Sequence, residues 1–485
     1  MSGLLRDIMK KIVLGNSRWA GAFCALLVGF FTAGTASAVP SFARQTGMAC
    51  QSCHTVFPEL TPFGRTFKLN AYTIDNLPQV QGISASKEME LVLNQIPPLS
   101  IMFQTSYTKT KSALPDSNPP PGNPALVGAN AQNGQVLFPQ QASLFYAGRI
   151  APNVGAFVQI TYASDSGTFG LDNTEFRYAR QVPAIADRLT YGFTMNNNPT
   201  VQDPWNSTPA WQTPFDQRTS AAPVPGAATQ IDGTLGGAVA GLTGYLWWRN
   251  SIYAELGLYR SSPQGHGGTA GAGPLDSTNP NGTIVGYAPY WRIAYERQWD
   301  RNSWSVGAYG ISAKIAPTGQ PVRASSDRFR DAALDTQYQF IGDEQILSAQ
   351  ATYIKERQSL DATFALGDSE NQSNDLKTFR VGGSYYIRRT YGGALGYFST
   401  TGSADAKRYL PGTDPASGPV IGFANGSPNS NGWIAELNYL PWQNVKLSAQ
   451  YIAYQKFNGA ASNYDSLGRN ASDNNTLYLL GWFNF

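Results

Sequence analysis

From about residue 99 onward the chain repeats one pattern: segments of roughly ten residues in which apolar and polar side chains alternate. In VKLSAQYIAY, Val445, Leu447, Ala449, Tyr451 and Ala453 share one face, while Lys446, Ser448, Gln450 and Tyr454 share the other. KTFRVGGSYYIRR sets Phe379, Val381, Tyr385 and Ile387 against Arg380, Ser384 and Arg388. Successive side chains of a strand point to opposite sides, so a period of two means strands with one apolar face. A soluble sandwich would alternate in the same way, and alternation alone does not choose between the two.

The connections choose. The segments fall near 99–109, 136–150, 156–165, 169–180, 188–196, 235–249, 251–261, 286–299, 303–314, 328–340, 344–356, 376–388, 391–399, 432–440, 444–456 and 476–485. That makes about sixteen, an even number. The odd connections are long (110–135, 197–234, 262–285, 357–375, 400–431 and 457–475), except a short one near 166–168. The even ones are tight, such as APNVG, IGD and Pro441-Trp442-Gln443. Long loops on one side and short turns on the other is the construction of an outer-membrane barrel. The expected fold class is therefore an all-β transmembrane barrel of about sixteen antiparallel strands over 99–485. Both termini are expected to be periplasmic, the long loops extracellular and the outer face against outer-membrane lipid. The last strand agrees, with Leu477, Leu479, Phe483 and Phe485 on one face. Sixteen strands enclose a lumen too wide for side chains to fill. Arg149, Glu175, Arg177, Arg292, Glu296, Arg380, Glu436 and Lys446 have inward parity and are expected to line it as a solvated pore.

Ahead of the barrel the chain carries a targeting signal. Arg6, Lys10, Lys11 and Arg18 precede an apolar run from Ala20 to Gly34, and Ala36-Ser37-Ala38 supplies small residues for cleavage. Residues 1–38 are read as a signal peptide, and cleavage there removes Cys24. Two cysteines then remain, Cys50 and Cys53, in Cys50-Gln51-Ser52-Cys53-His54. C-x-x-C-H is the attachment sequence of c-type haem: two thioethers to the vinyl groups, with the histidine as axial iron ligand. A zinc site would need further Cys or His partners that this chain lacks. A net charge of +3 and no basic cluster argue against nucleic acid.

Residues 39–98 are thus read as a small α-helical monohaem domain and connector. One amphipathic helix is expected over Pro58–Tyr72, with Pro62 in its first turn and Leu60, Phe63, Phe67 and Leu69 towards the haem. So small a domain cannot bury a cofactor by itself. It needs a wall and the barrel needs a filling, so the segment is expected to plug the lumen.

The run FARQTGMACQSCHTVFPELTPFGRTFKLNAYTI followed by a barrel resembles the fused monohaem cytochrome–porins of acidophilic iron-oxidising bacteria. The resemblance is specific over residues 42–74 and architectural over the barrel. It implies oxidation of extracellular Fe(II) and delivery of electrons to a periplasmic cytochrome c or a cupredoxin such as rusticyanin, an oxidoreductase activity carried by haem c. It carries over Cys50 and Cys53 as thioether donors and His54 as axial ligand. It transfers neither a distal ligand nor an iron site.

Fe(II) oxidation in acid demands a high potential, which His/Met ligation favours. Met102, with lumen parity beside Ser100 and Gln104, is the first candidate for the distal ligand, and Met89 the second. Met48 is too near Cys50, Met195 has lipid parity, and His266 sits in a Gly-rich loop. Residues 196–214 and 261–285 hold one carboxylate each, Asp203 and Asp276, too few for a tight ferrous site. Two other functions compete: a solute porin whose haem domain senses redox state or gates, and a peroxidase-type or nitrite-active haem with an open coordination position.

Overall fold

The computed structural model describes residues 40–74, 79–81, 92–113, 133–164, 167–182, 188–205, 207–208, 222–261, 282–320, 325–409 and 423–485. The signal peptide, Met89, His266 and Asp276 lie outside the described residues.

Sixteen strands form one closed antiparallel barrel: β1 Leu99–Thr110, β2 Gln135–Ala151, β3 Val154–Ala163, β4 Thr168–Val182, β5 Leu189–Asn196, β6 Val239–Trp248, β7 Ile252–Ser261, β8 Ala288–Trp299, β9 Asn302–Ala316, β10 Asp327–Ile341, β11 Gln345–Ser359, β12 Ser373–Ile387, β13 Tyr391–Gly402, β14 Ser430–Trp442, β15 Val445–Lys456 and β16 Thr476–Asn484. Each strand pairs with its neighbours in sequence, and β16 pairs with β1 from Thr476↔Thr110 to Asn484↔Met102, which closes the cylinder. The pair Thr283–Ile284 only extends the β9 edge. Every expected strand is present, and the chain enters and leaves the barrel at the rim formed by the short turns.

The outer face is apolar. Leu242, Leu256, Leu334 and Leu437 stand exposed, and Met195 is outward as its parity requires. Aromatic rings flank this band near both rims: Tyr295, Trp299, Trp304, Tyr391, Tyr439 and Trp442 towards the short turns, and Trp291, Tyr397 and Trp433 towards the long loops. Tyr391 and Tyr439 face each other across strands and stack at 5.2 Å. A closed barrel with an apolar belt and two aromatic girdles belongs in an outer membrane.

The lumen departs from the expected solvated pore. Glu175, Arg177, Arg292, Glu296, Glu436 and Lys446 point inward but are buried. The reason is that two parts of the chain occupy the interior. One is the helical segment α1 Pro40–Thr46, α2 Cys50–Cys53 and α3 Pro62–Leu69. The other is the β5–β6 connection, expected as an outer loop, whose Val201, Asp203, Trp205 and Ile231 are buried against inward side chains of the wall.

Glu296 joins both insertions. Arg65 of α3 donates to it twice, Nε to Oε2 at 3.0 Å and Nη2 to Oε1 at 2.9 Å, and Trp205 Nε1 donates to Oε2 at 2.5 Å. Arg65 spends its other donors on Leu60 O, Gln339 and Ser303 at 2.7–2.9 Å. Glu175 repeats the theme: it accepts from Tyr72 at 2.8 Å and Arg177 at 2.6 Å and lies 3.6 Å from Lys68 Nζ. Lys68 in turn donates to Val201 O of the inserted connection at 2.5 Å. Arg292 holds Asp203 at 3.3 Å and Asp335 at 2.7 Å, so Asp203 is a lumen anchor and not a loop carboxylate.

Removing one member of a buried, fully hydrogen-bonded pair leaves the other charge uncompensated, at about 3–5 kcal/mol. Arg65→Met should therefore loosen α3 by that order, and Arg65→Met combined with Glu296→Leu should recover part of the loss. Hydrogen exchange of the amides of residues 62–69 in the two variants measures both effects.

Candidate haem site

Thr61 starts α3: its Oγ1 accepts from Gly64 N at 3.1 Å, and Pro62 takes the first helical position, where a missing N–H costs nothing. The helix is shorter than expected, Pro62–Leu69 instead of Pro58–Tyr72. Residues 55–60 instead form a turn, closed by Thr55 N to Glu59 O at 3.3 Å and a bridge between His54 and Leu60. That turn folds the chain back on the C-x-x-C helix. Thr61 N donates to Cys53 O at 2.9 Å and Thr61 Oγ1 to Ser52 O at 2.6 Å. The helices touch so closely that a Cβ at Gly64 would lie 2.2 Å from Cys53 O, which only glycine permits.

The barrel rim fixes the same unit from outside. Cys50 N donates to Gln443 Oε1 in the β14–β15 turn at 3.2 Å, and Arg389 in the β12–β13 turn donates to Gln51 O at 3.3 Å. Ser41 and Gln45 of α1 both donate to Ala147 O on β2, Gln45 at 2.9 Å. The attachment motif thus sits at the short-turn end.

Between these helices and strands β1–β4 lies a cavity of about 410 Å³. Cys50, Cys53 and His54 line it, together with Met102, Phe57, Phe63, Phe67, Phe145, Phe157 and Trp482. Leu60, Phe63 and Phe67 face it as expected. Leu69 does not: it is buried against Trp205, Tyr245 and Trp247 on the far side of α3. Met48, set aside on sequence distance, also reaches the cavity wall. Tyr72, Phe42 and Phe67 cluster beside it at 5.1–6.1 Å.

The donor set fits a c-type haem. Cys50 and Cys53 do not form a disulfide, and burial, reinforced by Cys50, pushes Cys53 up to about 11. His54 Nδ1 lies 3.2 Å from Glu59 O. A carbonyl can only accept, so Nδ1 carries the proton and Nε2 remains for a metal, the arrangement by which a backbone partner orients a ligating imidazole. Burial pushes His54 down to about 4, outweighing the opposing backbone contacts at Glu59 and Pro58, so the ligating neutral form persists into mild acid. Met102 is buried among Phe57, Tyr478, Leu480 and Trp482, and its Sδ accepts a weak bond from Gln104 Nε2 at 3.7 Å. Phe57 stands edge-on to His54 at 6.3 Å. Of the two methionines favoured from sequence, Met102 shares the cavity with His54, and Met89 lies outside the described residues.

Gln104, Gln141, Gln159, Asp172, Asn173 and Glu175 line the side of the cavity opposite in character to the aromatic side. Gln104 and Glu175 were expected inward; sequence reasoning missed the other four, whose signal is obscured by two β-bulges. The β1–β2 register shifts between Gln104 and Ser106, and the β3–β4 register between Val158 and Ile160.

No family model matches the chain, and no curated protein matches it. Among solved structures, similar ones include the loop-deleted form of OmpT, an outer-membrane protein of Vibrio cholerae, at 10% identity and TM-score 0.40 over 80% of this chain and 98% of that one. The outer-membrane channel DcaP of Acinetobacter baumannii follows at 12% identity and TM-score 0.41, over 80% and 96%. Salmonella typhi OmpF, in complex with daunomycin, gives 12% and 0.41 over 80% and 97%.

A methyl group forced into a close-packed contact costs about 1–3 kcal/mol. Gly64→Ala should part α3 from α2 by that order, and amide exchange at residues 50–54 should rise while the barrel amides stay protected. Unchanged exchange would mean the two helices are not held through this contact.

Proposed function

We propose that the chain is an outer-membrane c-type cytochrome that oxidises extracellular Fe(II) and delivers single electrons to a periplasmic cytochrome c or cupredoxin. The observation that carries this reading is that Cys50, Cys53, His54 and Met102, brought from two separate segments, line one aromatic cavity inside the barrel. The sequence resemblance over residues 42–74 supplies the reaction class.

Bound haem c supplies a one-electron iron centre. Cys50 and Cys53 would hold it covalently, and His54 Nε2 together with Met102 Sδ, once released from Gln104, would hold its iron. Phe57, Phe145, Phe157 and Trp482 exclude water, which keeps the local dielectric low and the potential under protein control. The helical segment is a plug: its buried ties through Arg65, Lys68 and Tyr72 hold the cofactor in the lumen, and the β5–β6 connection closes the space beside it. In this reading the short-turn rim, where the motif lies, faces the periplasmic carrier. The long-loop side faces the ferrous iron.

Against the solute-porin reading stands that, among the described residues, several inward charges are paired with one another and buried from water.

Three measurements test the proposal. Purified holoprotein mixed anaerobically with Fe(II) in mild acid should develop reduced haem bands; an oxidised spectrum that never changes would discard the reaction. In planar bilayers the protein should conduct far less than an open sixteen-stranded porin, and ordinary porin conductance would favour the solute channel. Met102→Ala should abolish the sulfur-to-iron charge-transfer band and lower the midpoint potential, since thioether ligation raises it. A variant with an unaltered spectrum and potential would remove Met102 from the iron.

A further inference from the structure

Strands β9–β12 carry their outward charges at one end only. On the outer faces of these four strands Lys314, Arg328, Arg330, Lys355, Arg357 and Lys377 are exposed or half-buried, and all six stand in the long-loop halves of their strands. Towards the short turns the same faces hold neutral residues, such as Leu334 and Phe340 on β10 and Phe379 and Val381 on β12, and no charge.

The sheet register makes the six cations one group. Lys314 stands opposite Arg328, Arg330 opposite Arg357, and Lys355 opposite Lys377. Arg328 and Arg330 are two apart on β10, as Lys355 and Arg357 are on β11, so each couple shares a face. The patch crosses three strand spacings, about 14 Å. Like charges directly opposite one another destabilise a sheet, and here three such pairs adjoin.

Little in the protein offsets that repulsion. The outward positions of β9–β12 hold one carboxylate, Asp375, opposite Arg357. Among the described residues none of the six cations forms an ion pair. The short-turn rim differs, for Arg301 holds Asp343 at 2.6 Å and Arg388 lies 4.0 Å from Glu344.

Position decides what kind of anion completes the patch. It lies on the outside of the barrel, where the apolar belt ends, and exposed Leu334, Tyr353 and Phe379 follow it along the same strands. An occupant there meets hydrocarbon with one part and cations with another, so it is an amphiphile with an anionic head. Guanidinium groups donate in pairs to phosphate oxygens, and the lysines add point charges. We propose that these six side chains dock the phosphorylated sugar head of an outer-leaflet glycolipid, whose acyl chains lie along the belt, with the long-loop end of the barrel facing that leaflet. The inference goes beyond the electron-transfer reading and makes no use of the haem.

Diphosphoryl lipid A is the probe, titrated into the purified full-length protein in detergent, with bound copies counted by native mass spectrometry. The parent should bind it about tenfold or more tightly than fully dephosphorylated lipid A or phosphatidylglycerol, and excess inorganic phosphate should not displace it. Neutralising Arg330, Lys355, Arg357 and Lys377 together to Gln should weaken binding by about tenfold or more. Arg330→Lys with Arg357→Lys, which keeps the charge, should retain most of it. Arg301→Gln with Arg388→Gln, at the opposite rim, should change nothing. A heat-resistant barrel band in electrophoresis certifies the fold of each variant. Equal affinity of the parent and the fourfold Gln variant overturns the patch, and equal affinity for the dephosphorylated lipid overturns phosphate recognition. Preference for phosphatidylglycerol, or dependence on Arg301 and Arg388, overturns the placement in the outer leaflet.

Discussion

In hydrocarbon a strand edge has no water to satisfy its N–H and C=O groups, so the sheet has to close on itself. The β16–β1 seam does this, and the rest of the molecule answers the problem that closure creates. A cylinder of sixteen strands leaves a lumen that side chains do not span. Among the described residues, side chains of the N-terminal segment and of the β5–β6 connection pack against inward groups of the wall. Both insertions bury apolar side chains, Leu69 and Trp205 among them, and both are also fastened by buried charges projecting from the wall.

The fastening has a shared logic. Glu296 serves Arg65 of the segment and Trp205 of the connection with one carboxylate, and Glu175 with Lys68 joins the same two insertions from the other side. Each buried ion is expensive by itself, and the cost is met only when every donor and acceptor finds a partner. The network therefore favours one seating of the helices. Arg65, with all its nitrogens engaged, fixes α3; α3 fixes α2 through Thr61 and Gly64; and α2 carries the attachment motif. Electrostatics in the lumen in this way set the position of cysteines that bear no charge.

The sixteen strands and their faces were readable because one face meets lipid and the other does not, which writes a period of two into every segment. Lys446, Ser448 and Gln450 are buried inward and Leu447 and Tyr451 are outward, as alternation requires. The motif residues were readable because thioether and imidazole chemistry fixes their spacing. Three things escaped. The inward path of residues 197–205 depends on long-range pairs such as Arg292 with Asp203, which no local pattern encodes. The length of α3 was overestimated because the turn over 55–60 is also apolar, and Leu69 was assigned to the wrong side as a consequence. Asp172 and Asn173 at the polar end of the cavity were missed because a bulge breaks the very alternation by which Gln104 and Glu175 were recognised.

The cavity's two characters bear on why one cofactor could serve two compartments. Its aromatic half, with Cys50, Cys53 and His54, lies against the short turns around Gln443 and Arg389. Its polar half climbs β1–β4 towards the long loops as far as Asp172. In the proposed reading a haem held at Cys50 and Cys53 would rest against the aromatic half. Gln104 stands at the junction, donating to Met102 Sδ on one side while its unpaired oxygen lines the polar half. Ligation of Met102 would free that amide to turn. In the proposed reading, release of Met102 to the iron would therefore change what Gln104 presents to the polar half.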